Sequence, residues 1–507
     1  MLVPLNPAEH RWRQSKIDPR ITERRAVGVE SFLGRKNANY MGQNDLRIRV
    51  ELSVSNTTPS LATLKEKLEA TMMEMRFLHP ESACTLAWDK VIVPPLLQYR
   101  SPESQEAAKK WAQGIVHVQA TTDNALDLWE DIENRRRSNP QPENPITVHI
   151  LANVADVDSP LPVDTIVDML FRMNHVYWDG VSARAFVGDV LRTFSKTLAA
   201  DYEVPGYEWG KETANLNIPI LDALKPGVEC SGDAFTADRS ELLKAFGEGH
   251  ADLGTRPHTG PYKPRVVTHV FAPKECSAMI KAIKSRLGPK YTITHLGQAA
   301  VTQAMLEINP PSPDLPESAA FVTPNSINGR RWMDNAYAPT YYAACLANGV
   351  VKFNNVKSLI IDPSDKPAMI QALTKGAEDA KKSIDFWLSK PHHLPVGINV
   401  HNLSAEFVAT NPAEEKEVAV PVFLSDGLND RFLPNEIVRS DTNKPLMTVN
   451  GVLFALNEYD PFYTTRLESW QGASTLSVCY NGGNYSKEEA EAFLHCVVKY
   501  MLAFVGA

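Results

Sequence analysis

The stretch from Thr165 to Leu198 restricts the fold more than any other. Val167, Met169, Phe171 and Met173 alternate along one side, which is the period of a strand. Phe186, Val190, Leu191, Phe194 and Leu198 then recur at helical spacing, with Ser182 as the expected N-cap. The period changes across Asn174-His175-Val176-Tyr177-Trp178-Asp179-Gly180. Any fold for this chain therefore holds an imidazole at a strand end, just before a helix begins. The strand end fixes the ring, and the loop gives it access to a cleft. The carboxylate of Asp179 is suited to pinning the loop through an arginine. Gly180 is expected to permit a backbone turn that a side chain would obstruct.

The chain has 507 residues, 43% of them apolar, so it is globular rather than disordered. Single cores stop growing at roughly 250–300 residues, so about two domains are expected. Periodicity fades from Pro205 to Pro264, where Gly and Pro accumulate. That places the connection there, between a domain of residues 1–225 and another of 226–507. Leu61, Leu64, Leu68, Met72 and Met75 mark one helix, and Ala125, Leu128, Trp129 and Ile132 another. The second ends in Arg135-Arg136-Arg137, which reads as a solvated, cation-rich helix end. Asn139 to Pro145 reads as a loop. Strands are expected at Arg265–Phe271, Ala319–Thr323, Val418–Leu424, Met447–Ala455 and Thr475–Tyr480. A long helix follows Pro367, and the last helix opens with a capping box, Ser486 with Glu489.

Several classes are excluded. Lys and Arg number 52 against 60 acids, a net charge of -8. A general nucleic-acid binder does not fit that balance, so any anionic ligand must meet a local basic mouth. No apolar run is long enough to span a bilayer, and the start at Met1–Leu5 is too short for a signal-peptide core. Six scattered cysteines show no C-x-x-C spacing, so neither a zinc cage nor a dithiol motif is written. Reduced thiols in a cytoplasmic protein are expected. Gly180-Val181-Ser182-Ala183-Arg184 misses a nucleophile elbow at its last position.

The segment from His175 to Gly180 resembles the active-site motif of one superfamily. Its members include chloramphenicol acetyltransferase, plant BAHD acyltransferases and peptide-synthetase condensation domains. Two further stretches are similar to that superfamily. Asn325 to Arg331, followed by Tyr341-Tyr342 and Asn348-Gly349, resembles its second-domain N/D-x-R segment and the strand after it. Trp470-Gln471-Gly472 through Ser477, Tyr480 and Ser486 resembles the last strand and helix of fungal alcohol acetyltransferases. Within the superfamily the chain resembles the fungal branch that acetylates trichothecene sesquiterpenoids at the C15 hydroxyl. Two departures stand out. Condensation domains carry a second histidine where this chain has Asn174, and the plant D-F-G-W-G segment has only a poor counterpart in Ser425 to Asn429. No function is carried onto Asp426.

The resemblance implies an α/β fold of two similar chloramphenicol acetyltransferase-like domains, each a mixed sheet covered by helices, with a tunnel between them. It implies a monomeric O-acyltransferase that uses acetyl-CoA as co-substrate, with no permanently bound cofactor and no metal. A small hydrophobic alcohol would be the acceptor. His175 would act as general base. Asp179 would be its partner in a dyad or, as the family suggests, a structural anchor paired to Arg330 or Arg331. Ser477 or Thr475 would offer a donor to the oxyanion. Trp178, Tyr341 and Tyr342 would line the acceptor pocket. The rival readings are an amide-forming condensation domain that uses carrier proteins, and a non-catalytic metabolite-binding member.

Overall fold

The strand Leu46–Val54 sits at the centre of the sheet that carries the histidine loop. Leu46, Ile48, Val50, Leu52 and Val54 are at most 1% exposed, so its apolar face is sealed. It pairs antiparallel with Ile166–Met173 on one side and with Lys444–Leu456 on the other. Ile146–Ala152, Val116–Ala120 and Glu436–Arg439 complete six strands. Helices Leu61–Leu78 and Gly180–Thr197 cover the apolar face and pack against each other. This computed structural model describes residues 5–39, 41–56, 58–88, 94–123, 125–138, 144–410 and 417–506. Met1–Pro4 and positions 139–143 of the expected loop lie outside the described residues.

A second sheet orders its strands as Pro264–Phe271, Ala473–Asn481, Thr464–Trp470 and Val422–Leu428. Helices Ile293–Ile308 and Lys487–Ala503 pack on it around a separate core. The hairpin Phe321–Asn328 with Leu346–Phe353 carries helices Lys366–Ser389 and His393–Thr410. The architecture is thus α/β, mixed sheets covered by helices. The chain beyond residue 225 serves both sheets, because 436–439 and 444–456 extend the first one.

Three local expectations are corrected. The aperiodic stretch after Pro205 contains a helix, Asp233–Phe246, which buries only Phe235 and Leu242 and so leaves a faint stripe. Arg136 is not part of a solvated helix end, since it donates to the buried Asp45 carboxylate at 2.7 Å. The N-cap of the histidine helix is Asp179 rather than Ser182.

That helix is held against the chain near Phe432. Arg192 donates to the Phe432 carbonyl from both terminal nitrogens, at 2.7 and 2.9 Å. A methyl at Gly188 would overlap the same carbonyl oxygen, which explains the glycine. Gly188→Ala is expected to cost about 1–3 kcal/mol by overpacking. The loss would be read as a lower urea midpoint at unchanged slope.

Candidate active site

The strand Ile166–Met173 ends at Met173, and Asn174 turns the chain. The Asn174 side chain accepts from the Val176 amide at 3.0 Å, and its carbonyl accepts from Tyr177 at 3.1 Å. An asparagine thus closes a turn in which its side chain stands in for a backbone carbonyl. This brings the Trp178 carbonyl oxygen to 2.7 Å from His175 Nδ1. A carbonyl only accepts, so Nδ1 carries the proton and Nε2 holds the lone pair. Nε2 has no hydrogen-bond partner among the described residues, and the ring is half-buried. Burial holds His175 below its ordinary pKa of 6.5, partly offset by the Trp178 bond. The imidazole is therefore neutral near pH 7, with its basic nitrogen available.

Asp179 uses both of its oxygens elsewhere. Oδ1 accepts from the amides of Val181 and Ser182 at 2.9 and 2.8 Å, and the Ser182 hydroxyl closes the capping box at the Asp179 amide. Oδ2 accepts from Arg330 Nη1 and from the Cys345 amide, both at 2.7 Å. Burial pushes this carboxyl upward, but Arg330 and the amides outweigh it and hold it below its ordinary value. Arg330 donates further to the carbonyls of Tyr341 and Ala343, at 2.9 and 3.0 Å. Of the two arginines expected here, Arg330 makes the contact. Arg331 is exposed beside Trp332.

Gly180 is not in the left-handed region, so the turn does not require it. A Cβ there would instead lie about 3.5 Å from Asp426 Oδ1 and 3.6 Å from Arg466 Nη2. No function is carried onto Asp426 from the sequence, and Arg466 is not singled out there at all. Arg466 grips the Asp426 carboxylate in bidentate fashion, at 2.9 and 2.8 Å. Arg184 ties the helix to the same point, donating to the carbonyls of Gly180 and Asp426 at 2.6 Å each. Glu468, two positions from Arg466, is pushed up to about 7 by burial and accepts from Asn429 at 2.7 Å. A weak signal existed in Asp426-Gly427, where the plant segment finds its poor counterpart. The arginines carry no local pattern of their own.

The remaining expected residues fall in different settings. The Trp178 ring is 1% exposed and packs beside Phe186, which leaves it no free face for a ligand. Its backbone carbonyl is the atom that reaches the histidine. Tyr341 is buried, and its carbonyl serves Arg330. Tyr342 is half-buried, lies against His79 with ring centroids 4.2 Å apart, and donates its hydroxyl to Asp189. Ser477 is buried on the strand Ala473–Asn481, directly opposite Arg466, and its hydroxyl has no partner among the described residues. Burial pushes the Cys345 thiol up to about 12, so it is no nucleophile. Asn348 donates to His401 Nε2 at 2.7 Å, a buried histidine that the sequence did not single out. Among the described residues, no three His, Cys, Asp or Glu side chains gather as a metal site. No described helix is long and apolar enough to cross a membrane.

The chain as a whole has counterparts in known proteins. The family profile for the 15-O-acetyltransferase Tri3 matches residues 2–405. The chain belongs to this family. It is 43% identical to the trichothecene O-acetyltransferase TRI3 of Trichoderma arundinaceum, over 99% of this chain and 98% of that one. The solved structure of the TRI3 trichothecene 15-O-acetyltransferase from Fusarium sporotrichioides superposes with a TM-score of 0.94 at 36% identity, covering 99% of each chain. The first condensation domain of the calcium-dependent antibiotic synthetase shares the fold, with a TM-score of 0.60 at 10% identity over 95% of each chain. As a member of the Tri3 family, the protein is an acetyltransferase.

Proposed function

We propose that this acetyltransferase moves the acetyl group of acetyl-CoA onto the C15 hydroxyl of a trichothecene. The observation that carries the reading is the His175 imidazole, neutral and locked through Nδ1, with Nε2 unpartnered among the described residues. Nε2 takes the proton of the acceptor hydroxyl as its oxygen attacks the thioester carbonyl. A C–O bond forms, the tetrahedral oxyanion collapses, and the C–S bond breaks. The proton on Nε2 then passes to the departing CoA thiolate, which balances the reaction. Ser477 is the donor for the oxyanion, supported by its unpartnered hydroxyl and its place opposite Arg466. Asp179 acts as a positioning residue, since both of its oxygens are committed to Arg330 and to backbone amides. Tyr342 offers the half-exposed ring at the acceptor side. In this reading residues 1–225 and 226–507 form the two domains, the second lending strands 436–439 and 444–456 to the first sheet, a tunnel runs between them, and the protein works as a cytoplasmic monomer.

Purified protein given acetyl-CoA and a trichothecene with a free C15 hydroxyl should release one thiol per O-acetyl product. Mass spectrometry identifies the product, and proton NMR places the acetyl group. No product from any C15-hydroxy trichothecene would overturn the substrate assignment. A pH profile tests the base. Because the folded environment disfavours imidazolium, Nε2 stays unprotonated below the ordinary histidine value. The acid limb of kcat/KM should therefore have its midpoint below 6.5. A midpoint above that value would remove His175 from the role.

A further inference from the structure

A cavity of about 280 Å³ lies where the two sheets meet. Its walls come from helix Ala125–Ser138, from the start of Pro264–Phe271, from the end of Lys444–Leu456, and from the first turn of the last helix. Arg47, Arg265 and Lys487 bring three cations to it, against the acids Asp127 and Glu130. Glu130 is already paired to Arg265 at 2.5 Å. Lys487 opens the last helix, so that helix directs its positive end to the same wall.

Arg47 is the unusual member. It is 6% exposed and stacks on Trp129, 4.1 Å from the ring centroid. Its Nε and Nη2 are sealed and make no hydrogen bond, and Glu133 approaches Nη2 only to 3.6 Å. Nη1, the remaining nitrogen, has no partner among the described residues. Glu133 also lies against Arg136, and Asp45 serves Arg136 and Arg172, so Arg47 shares its nearest carboxylate with a second guanidinium. Burying an arginine charge is costly, and the charge of an anion in the adjoining cavity would offset part of that cost.

The position suits a particular anion. Leu46 pairs with Met173, two residues before His175, and also with Leu456, which lines the cavity. Neighbouring strands are about 4.8 Å apart, so the cavity opens within roughly 10 Å of the strand end that carries the imidazole. Alternation puts Arg47 on the opposite face of the sheet from Leu46. A ligand reaching both places needs a flexible arm that rounds the end of the sheet. The acyl donor has that shape: a thioester at one end, a long pantetheine arm, and phosphates at the other.

We propose that the cavity lined by Arg47, Arg265 and Lys487 binds a phosphate group of the acyl-CoA donor. This rests on the acyl-CoA reading above and assigns the basic mouth that a net-acidic chain requires. The test compares wild type with the Arg265→Gln, Lys487→Gln double variant, which leaves buried Arg47 in place. Each is assayed with acetyl-CoA and with acetyl-pantetheine, which lacks phosphates, and each is titrated calorimetrically with CoA and with 3′,5′-ADP. Losing charge-assisted bonds should raise KM for acetyl-CoA about tenfold or more, and weaken CoA to match. Constants for acetyl-pantetheine should not move, and Arg265→Lys with Lys487 intact should restore most of the loss. Equal effects on both donors, or none on either, would overturn the proposal. Acetyl transfer with variants that behave like wild type overturns the cavity assignment alone. CoA binding that depends on these residues, with no acetylation of any trichothecene, overturns the function alone. A wild type that binds neither CoA nor 3′,5′-ADP overturns both.

Discussion

His175→Ala is expected to lose about 10²–10⁴-fold in kcat/KM while keeping its fold. The ring makes a single described hydrogen bond, to the Trp178 carbonyl, and it is half-buried, so truncation removes little packing. The turn survives because Asn174 closes it and Asp179 caps the helix, neither of which involves the imidazole. The loss should fall on kcat, since Nε2 gains its proton only in the transition state. Circular dichroism and the urea midpoint should match wild type. Full acetyl transfer by a well-folded His175→Ala protein would end the general-base mechanism.

Arg330→Met should produce the largest loss of stability, about 3–5 kcal/mol. Arg330 is the charge that answers Asp179, which is 1% exposed, and it also satisfies the carbonyls of Tyr341 and Ala343. Removing it leaves an anion buried with only amide and hydroxyl donors. Arg330→Lys restores the charge but not the fork, and should recover only part of the loss. The sign of the pH dependence follows from the depressed carboxyl. Asp179 contributes stability above its unfolded pKa, and that stability is lost as pH falls through the lower folded value. Without Arg330 the folded value rises, so acid unfolding should begin at a higher pH than in wild type. Urea midpoints measured from neutral pH into the acid range would show it. An unchanged acid limb would mean that the pair does not control Asp179.

Much of this arrangement was written in local pattern. The alternation through Met173 and the helical stripe from Phe186 are both visible, because burial on one side of a sheet imposes them. The helix is capped three residues before the expected Ser182 for a physical reason. Ser182 is itself a cap-forming residue, and here it serves as the third position of a box that Asp179 opens. Whether Arg330 or Arg331 faces Asp179 depends on a hairpin crossing from the other half of the chain, and sequence spacing does not contain that. The buried charges were the least legible part. Arg24, Arg47, Arg172, Arg184 and Arg466 are all under 9% exposed, yet each looks like an ordinary surface cation in the sequence. Arg24 pairs locally with Glu30, but other partners lie far along the chain: Asp45 for Arg172, and the Asp426 backbone for Arg184.

The strand Lys444–Leu456 has a consequence for how the protein is made. It lies beside Leu46–Val54 and completes a sheet begun about 400 residues earlier. On the ribosome the first sheet waits, with one side of its central strand unpaired, until nearly the whole polypeptide has emerged. Unpaired strand sides invite association with other chains, and long-range pairing is slow. A nascent chain of this enzyme is therefore most vulnerable to aggregation late in synthesis, and a premature stop anywhere before residue 444 damages the half that has already been translated.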